Sequence, residues 1–176
     1  MSGVSVAPSL AKAFARSVGV SPADIVQLAL NNDGTLGAQD DSDYHGDYPG
    51  ATRTWVYPDQ TRVVDTSGIV YDTAGLVYRK SLAGPFDDLA FHDGGPIVVR
   101  ADELYAYSAD ALEVGRRQLA RPAQAIFVHG ESVFCFSFDE PSVQVQKVPI
   151  SSLAPPGSAP PLNAIGVSYR PDAMVL

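Results

Sequence analysis

Residues 62–82 read RVVDTSGIVYDTAGLVYRKSL, and the same plan recurs twice: residues 97–119 read IVVRADELYAYSADALEVGRRQL and residues 132–150 read SVFCFSFDEPSVQVQKVPI. Each stretch holds an apolar run, a polar turn and a second run with basic residues near its end. The first two share a middle, IVYDTAGL and LYAYSADAL, that puts a tyrosine on a strand and a small polar residue in the turn after it. Pro85 and Pro122 close these two units at a spacing of 37. Runs this short, rich in Val, Ile, Tyr and Phe and bounded by Gly, Asp and Pro, read as strands joined by tight turns.

A hairpin precedes each unit. Residues 55–64 (WVYPDQTRVV), 89–99 (LAFHDGGPIVV), 125–134 (AIFVHGESVF) and 165–176 (IGVSYRPDAMVL) each place two apolar runs around a turn. The turns recur at Asp59, Asp93, Gly130 and Asp172, at intervals of 34, 37 and 42. The longest interval contains the Pro-rich stretch 155–161, read as extended linker. Internal repeats of this length mark arrays in which each unit buries its faces only against its neighbours. The units expected are 54–85, 86–122, 123–153 and a partial one at 163–176. The third lacks a strand. On the strand at 133–138, Phe134, Phe136 and Phe138 share one face and Val133, Cys135 and Ser137 the other, so cover is expected on both sides.

The expected fold class is therefore all-β, with repeated short antiparallel strands. The pattern over residues 54–176 resembles the blades of β-propeller repeat proteins of the YVTN and quinoprotein-like kind. The Trp-Asp dipeptide of WD40 blades and the Trp docking motif of quinoprotein blades are absent. The resemblance implies a closed four-bladed ring or part of a larger propeller; a β-sandwich built of the same hairpins is the alternative. Asn31-Asn32-Asp33-Gly34 signals one more hairpin, at residues 25–40, which could supply the strands the last unit lacks. A second copy or another protein could complete the array instead. The apolar end, Met174-Val175-Leu176, is expected either to pair at once or to belong to a fragment.

Residues 1–24 read as a separate helical segment, with Pro8 at its start, Leu10, Phe14 and Val18 at i, i+4 and i+8, and Gly19 at its end. The same stretch holds Lys12 and Arg16 and, through residue 23, no acidic residue, a composition shared with transit peptides. Residues 39–51 read as a polar loop.

Composition narrows the function. The chain has 176 residues, 45% hydrophobic and 18% charged, with 15 Gly and 14 Pro. A net charge of −8 disfavours a phosphate backbone or an anionic membrane surface. No apolar run reaches the roughly 20 residues that span a bilayer. With Cys135 as its one cysteine the chain forms no internal disulfide, which leans towards a reducing, cytoplasmic setting. No nucleophile elbow, P-loop, dinucleotide fingerprint or HExxH motif is present.

Three weak candidate sites remain. Asp41, Asp43 and His45 alternate ahead of Gly46 and Asp47, as oxygen ligands do in calcium loops, but Thr52 stands where a bidentate Glu is needed. This leaves a looser Ca2+ site on Asp41, Asp43 and Asp47, against the reading of a solvated acidic loop; otherwise no cofactor is expected. His92 and His129 occupy matching hairpin turns, where neighbouring blades could hold a ligand at a channel mouth, against the reading of ordinary turn residues. Cys135 could be a nucleophile with His129 as base, but between aromatics on a buried strand it reads as core. Arg116 and Arg117 read as guards of a sheet edge. The function expected is a non-enzymatic binding or assembly module for a protein partner or a second copy. The alternative is an enzyme or ligand-binding propeller with its site at the channel mouth.

Overall fold

Apolar runs of three to eight residues separated by tight turns pair most easily with the run that follows them, and the whole chain is organised on that rule. The computed structural model describes residues 2–17, 19, 23–44, 46–48, 50–139 and 142–155. The unit expected at 163–176 lies outside the described residues. The strands form four meandering antiparallel sheets, the blades of a β-propeller arrangement. Blade 1 contains β1 (Ser2–Ala7), β2 (Lys12–Arg16), β3 (Ile25–Leu30) and β4 (Leu36–Asp41). Blade 2 contains β5 (Thr54–Val56), β6 (Arg62–Asp65), β7 (Ile69–Asp72) and β8 (Tyr78–Ser81). Blade 3 contains β9 (Asp88–His92), β10 (Gly95–Arg100), β11 (Glu103–Tyr107) and β12 (Glu113–Gln118). Blade 4 has three described strands, β13 (Ala125–His129), β14 (Ser132–Asp139) and β15 (Ser142–Pro149). Four small sheets rule out the two-sheet sandwich.

The helix expected over residues 1–24 is not formed. β1 and β2 flank a three-residue 3-10 turn, Pro8–Leu10, and belong to a complete blade. The i, i+4 spacing of Leu10 and Phe14 was a coincidence of side chains: Phe14 is buried while Leu10 is 42% exposed. The pairing of Lys12–Arg16 with Ile25–Leu30 outweighs local helix propensity. The β-repeat domain therefore begins at β1, not at residue 25. The hairpin at 25–40 does form, with Gly34 at φ 82° donating its N–H to the Asn31 carbonyl (2.9 Å), but it completes blade 1 and not the last unit. The loop expected from residue 39 starts later, because β4 continues to Asp41.

Blades 2 and 3 are apolar on both sides because each stands between two others. The forward face of blade 1 (Ala7, Phe14, Ile25) packs on Val63, Ile69 and Tyr71 of blade 2. Tyr57, Val64 and Val70 of blade 2 pack on Leu89, Val98 and Tyr107 of blade 3. Ile97, Val99 and Leu104 of blade 3 pack on Ile126, Val133 and Cys135 of blade 4. Successive blades come close at their inner strands, as β1 does to β5 and β9 to β13. Among the described residues no buried cluster joins blade 4 to blade 1.

Polar ties reinforce these seams. Asp88 at the start of β9 receives the Arg53 guanidinium (3.0 Å) from blade 2 and the Ile126 N–H (2.9 Å) from blade 4. Arg100 donates to the Pro85 carbonyl (2.9 Å) and the Tyr107 hydroxyl (3.0 Å), holding the linker between blades 2 and 3. Tyr57 is different. Its ring lies 5.0 Å from Phe91 with the Arg62 guanidinium 4.4 Å above it, yet its hydroxyl is buried without a hydrogen-bond partner. Burial pushes the phenol up to about 12. Since an unmet buried hydroxyl costs stability, Tyr57→Phe is expected to leave stability unchanged or raise it by about 1 kcal/mol in urea unfolding. A loss of that size instead would mean the hydroxyl is satisfied.

Candidate interaction face

In an antiparallel sheet, paired residues share a face, so the register of blade 4 sorts its side chains into two sets. Ile126 pairs with Cys135 and Val128 with Val133, and this set meets blade 3. Phe127 pairs with Phe134, and β14 pairs onward: Phe134 with Lys147, Phe136 with Val145, Phe138 with Val143. The second set makes one apolar face on the side away from blade 3. It is open: Phe127 is 58% exposed, Phe138 54%, Val143 57% and Val145 55%. Phe134 and Phe136 in the middle are half-buried.

Among the described residues the strand at 133–138 is packed on one side, by blade 3, where its pattern predicts cover on both. The covered side is firmly held. Ser137 donates to the Pro122 carbonyl, and Gln146 accepts the Ala120 N–H at 3.1 Å. The open side is polar only at one end. There the His129 ring stacks on Phe127 (6.5 Å, 10°), and the Lys147 ammonium sits 5.8 Å over Phe134. Single exposed apolar residues are ordinary; here four Phe and two Val lie together on one face.

The candidate residues singled out by sequence do not converge. His92 ends β9 on the side turned to blade 4. Its Nε2 lies 3.7 Å from a Glu131 carboxylate oxygen and 3.4 Å from Asp93. His129 ends β13 on the opposite side of blade 4, beside Phe127. The matching turns are there, but alternation along the strands sends the two imidazoles apart. Asp41 is exposed on β4 and accepts the Gln39 amide (2.8 Å). Asp43 and Asp47 are exposed in the following loop, where the Asp47 carbonyl accepts from Arg16 (3.0 Å). His45 lies outside the described residues. Among the described residues no group of three or more His, Cys, Asp or Glu is placed to hold a metal ion. An open cleft of about 430 Å³ between the blade linkers is lined by Ala51, Ile69, Pro85 and the hydroxyls of Thr66, Ser67 and Ser81, with no charged side chain among its lining residues.

Cys135 faces blade 3, away from His129, and burial pushes its thiol up to about 11. A thiol with a folded value above its unfolded value supports the fold fully below the unfolded value of about 8.5. That support is lost as pH rises through about 11. Two results are expected. Native protein should resist a thiol reagent at neutral pH and react fully in denaturant, and Cys135→Ala should flatten the loss of stability above pH ~9. Rapid labelling of native protein at neutral pH would contradict the burial.

What the fold defines is an all-β, four-bladed propeller array, in which blade 4 carries the exposed Phe127, Phe138, Val143 and Val145 on one face. No protein-family model and no curated protein matches the chain. Among solved structures it is similar to the computationally designed Ika8 protein, at 14% identity and a TM-score of 0.55, over 82% of this chain and 44% of that one. It is also similar to the computationally designed Ika4 protein, at 19% identity and a TM-score of 0.47, over 71% of this chain and 85% of that one. The chain thus spans less than half the length of the first, and at such identity the likeness is one of fold. Among the described residues no helix is long and apolar enough to cross a membrane.

Proposed function

We propose that this chain is a non-enzymatic binding or assembly module whose working surface is the open face of blade 4. The observation that carries this reading is the contiguous set Phe127, Phe134, Phe136, Phe138, Val143 and Val145, fixed on paired strands of a rigid blade. Apolar surface in water costs about 25 cal/mol per Å², so a face of this size favours association. Aromatic side chains clustered on a rigid element are also the anchors that dominate protein interfaces. The chain's net charge of −8 opposes indiscriminate association, and no carboxylate lies among the six residues of this set.

The test is hydroxyl-radical footprinting of Phe127 and Phe138 on the full chain, read by mass spectrometry across a dilution series. Both rings are expected to be reactive once the chain is diluted to single copies, and protected only when another molecule is present. Protection that persists at every dilution would place the cover inside the chain and end this reading.

A further inference from the structure

We propose that the open cleft between the blade linkers is a ligand site, and that it takes a small uncharged molecule with an apolar ring and one or two hydrogen-bond acceptors. The site is separate from the face of blade 4 and goes beyond the assembly reading.

The cleft has a volume of about 430 Å³, inside the range of roughly 300–1,000 Å³ that small-molecule sites occupy. Ala51, Ile69 and Pro85 make its walls apolar, and the half-exposed Tyr48 adds an aromatic residue to the lining. Three hydroxyls line it as well, and they are not equivalent. Ser67 is occupied, because it donates to Asp65. Thr66 Oγ1 accepts the Thr52 N–H (2.8 Å) and Ser81 Oγ accepts the Ala83 N–H (3.1 Å). Among the described residues neither gives its own proton to the protein. A hydroxyl held by a backbone N–H still has one O–H to donate. The cleft thus sets two positioned donors among apolar walls, the pattern of a small-molecule site. A carbonyl oxygen can accept from either.

Charge argues against other ligand classes. No lining residue is charged, and Asp65, behind Ser67, is buried and paired with Arg16. An anion would meet no counter-charge there, and the net charge of −8 would repel it. A cation would give up water with no lining carboxylate to receive it.

The cleft is also held open. Arg16 pins the linker between blades 1 and 2 through the Asp47 (3.0 Å) and Tyr48 (2.9 Å) carbonyls. Arg100 pins the linker between blades 2 and 3 through the Leu82 and Gly84 carbonyls. Each linker carries a non-glycine residue in the left-handed region, Tyr48 at φ 54° and Ala83 at φ 62°. Such residues persist only where their surroundings impose them, and they concentrate at ligand sites. Walls fixed in advance lower the ordering cost of binding.

The experiment is amide NMR of the full chain titrated with benzamide, a neutral ring with a carbonyl acceptor. Its anionic counterpart, benzoate, is the control. Benzamide is expected to shift the amides of Tyr48, Ala51, Thr66, Ser67 and Ser81 and to saturate with a Kd of about 1 mM, as a ligand of its size allows. Benzoate should bind at least about tenfold more weakly. Tyr48→Gly removes the ring and suits the backbone at φ 54°, so this variant should fold at least as well as the parent and lose about tenfold in affinity. Ser81→Ala should lose about fivefold, the effect of one missing donor. Shifts confined to the strands of blade 4 would overturn the proposal by placing the ring on the face already described. Benzoate binding as tightly as benzamide, unchanged affinity in both variants, or no saturable shift would each overturn it too. None of these results bears on the assembly reading, which stands or falls on the footprint of Phe127 and Phe138.

Discussion

Asp65→Ala is expected to cost the fold about 3–5 kcal/mol, the loss seen when one member of a buried ion pair is removed. Asp65 ends β6 of blade 2 with its side chain fully buried, and the Arg16 guanidinium, itself 1% exposed, lies 3.2 Å from it. Arg16 ends β2 of blade 1. Its other terminal nitrogen donates to the carbonyls of Ala23 (3.1 Å), Asp47 (3.0 Å) and Tyr48 (2.9 Å). One cation thus ties blade 1, blade 2 and the linker between them. Alanine would leave Arg16 charged and buried with no side-chain oxygen to accept from it, and would strip Ser67 of its partner. Arg16→Met should cost a similar amount for the mirror reason, and the double variant Arg16→Met/Asp65→Leu should recover much of the loss, because no uncompensated charge remains. Urea unfolding of the four proteins gives the coupling directly. Single variants within about 1 kcal/mol of the parent would mean that water reaches the pair.

The pH dependence has a definite sign. Burial raises the Asp65 carboxyl above its ordinary value, against the lowering pull of Ser67 and Arg16. An acid whose folded value is raised contributes stability that is fully present below the unfolded value of about 3.9. That contribution is lost as pH rises through the folded value. The pair therefore does not make the protein acid-labile. Asp59 and Asp72 lie on the other side: contacts from Thr61 and Arg62, and from Gly75, Val77 and Arg79, hold them low against desolvation. Their contributions are present above the unfolded carboxyl value and fade as pH falls through the folded one.

Blades 2 and 3 were legible because their turns carry the residues that turn geometry demands, at nearly even intervals. The hairpins at 55–64 and 89–99 fold where Asp59 and Asp93 place them. The short third unit was legible too, since residues 132–150 hold the hairpin's second strand and room for one more, and blade 4 has three described strands. Blade 1 was not. Its strands lie in a segment with Pro8 and Gly19 at helix-like positions, and only long-range pairing to β3 and packing on Tyr71 decide the outcome. The candidate face was half legible. The Phe134, Phe136, Phe138 alternation was plain, but a period of two cannot say which face a neighbour covers. Val143 and Val145 joined the face only through the β14–β15 register, which no local signal gives. The buried role of Arg16 was not legible for a related reason. A lone arginine in a stretch without acids looks like a surface or targeting charge until a carboxylate 49 residues away is brought beside it.

Gly68→Ala is expected to destabilise the fold by about 3 kcal/mol or more, well beyond the ordinary cost of a left-handed residue of about 1–2 kcal/mol. Gly68 sits in the β6–β7 turn at φ 84°, with its N–H on the Asp65 carbonyl (2.9 Å). Its own carbonyl accepts the Leu82 N–H (2.8 Å). That bond brings the linker between blades 2 and 3 so close that an added Cβ would lie 2.2 Å from the Gly84 carbonyl oxygen. Both partners are backbone, so neither can swing aside as a side chain would. The clash must either push the linker out, loosening Leu82 from the core, or open the turn that holds Asp65 against Arg16. Gly34→Ala separates the two effects. It has nearly the same φ, 82°, with nothing within 4 Å of the added Cβ. That variant should lose only about 1 kcal/mol. Thermal and urea unfolding of both variants decide the matter. Equal losses would reduce Gly68 to a turn residue. A gap of 2 kcal/mol or more between them would place the close approach of turn and linker among the contacts that hold successive blades in register.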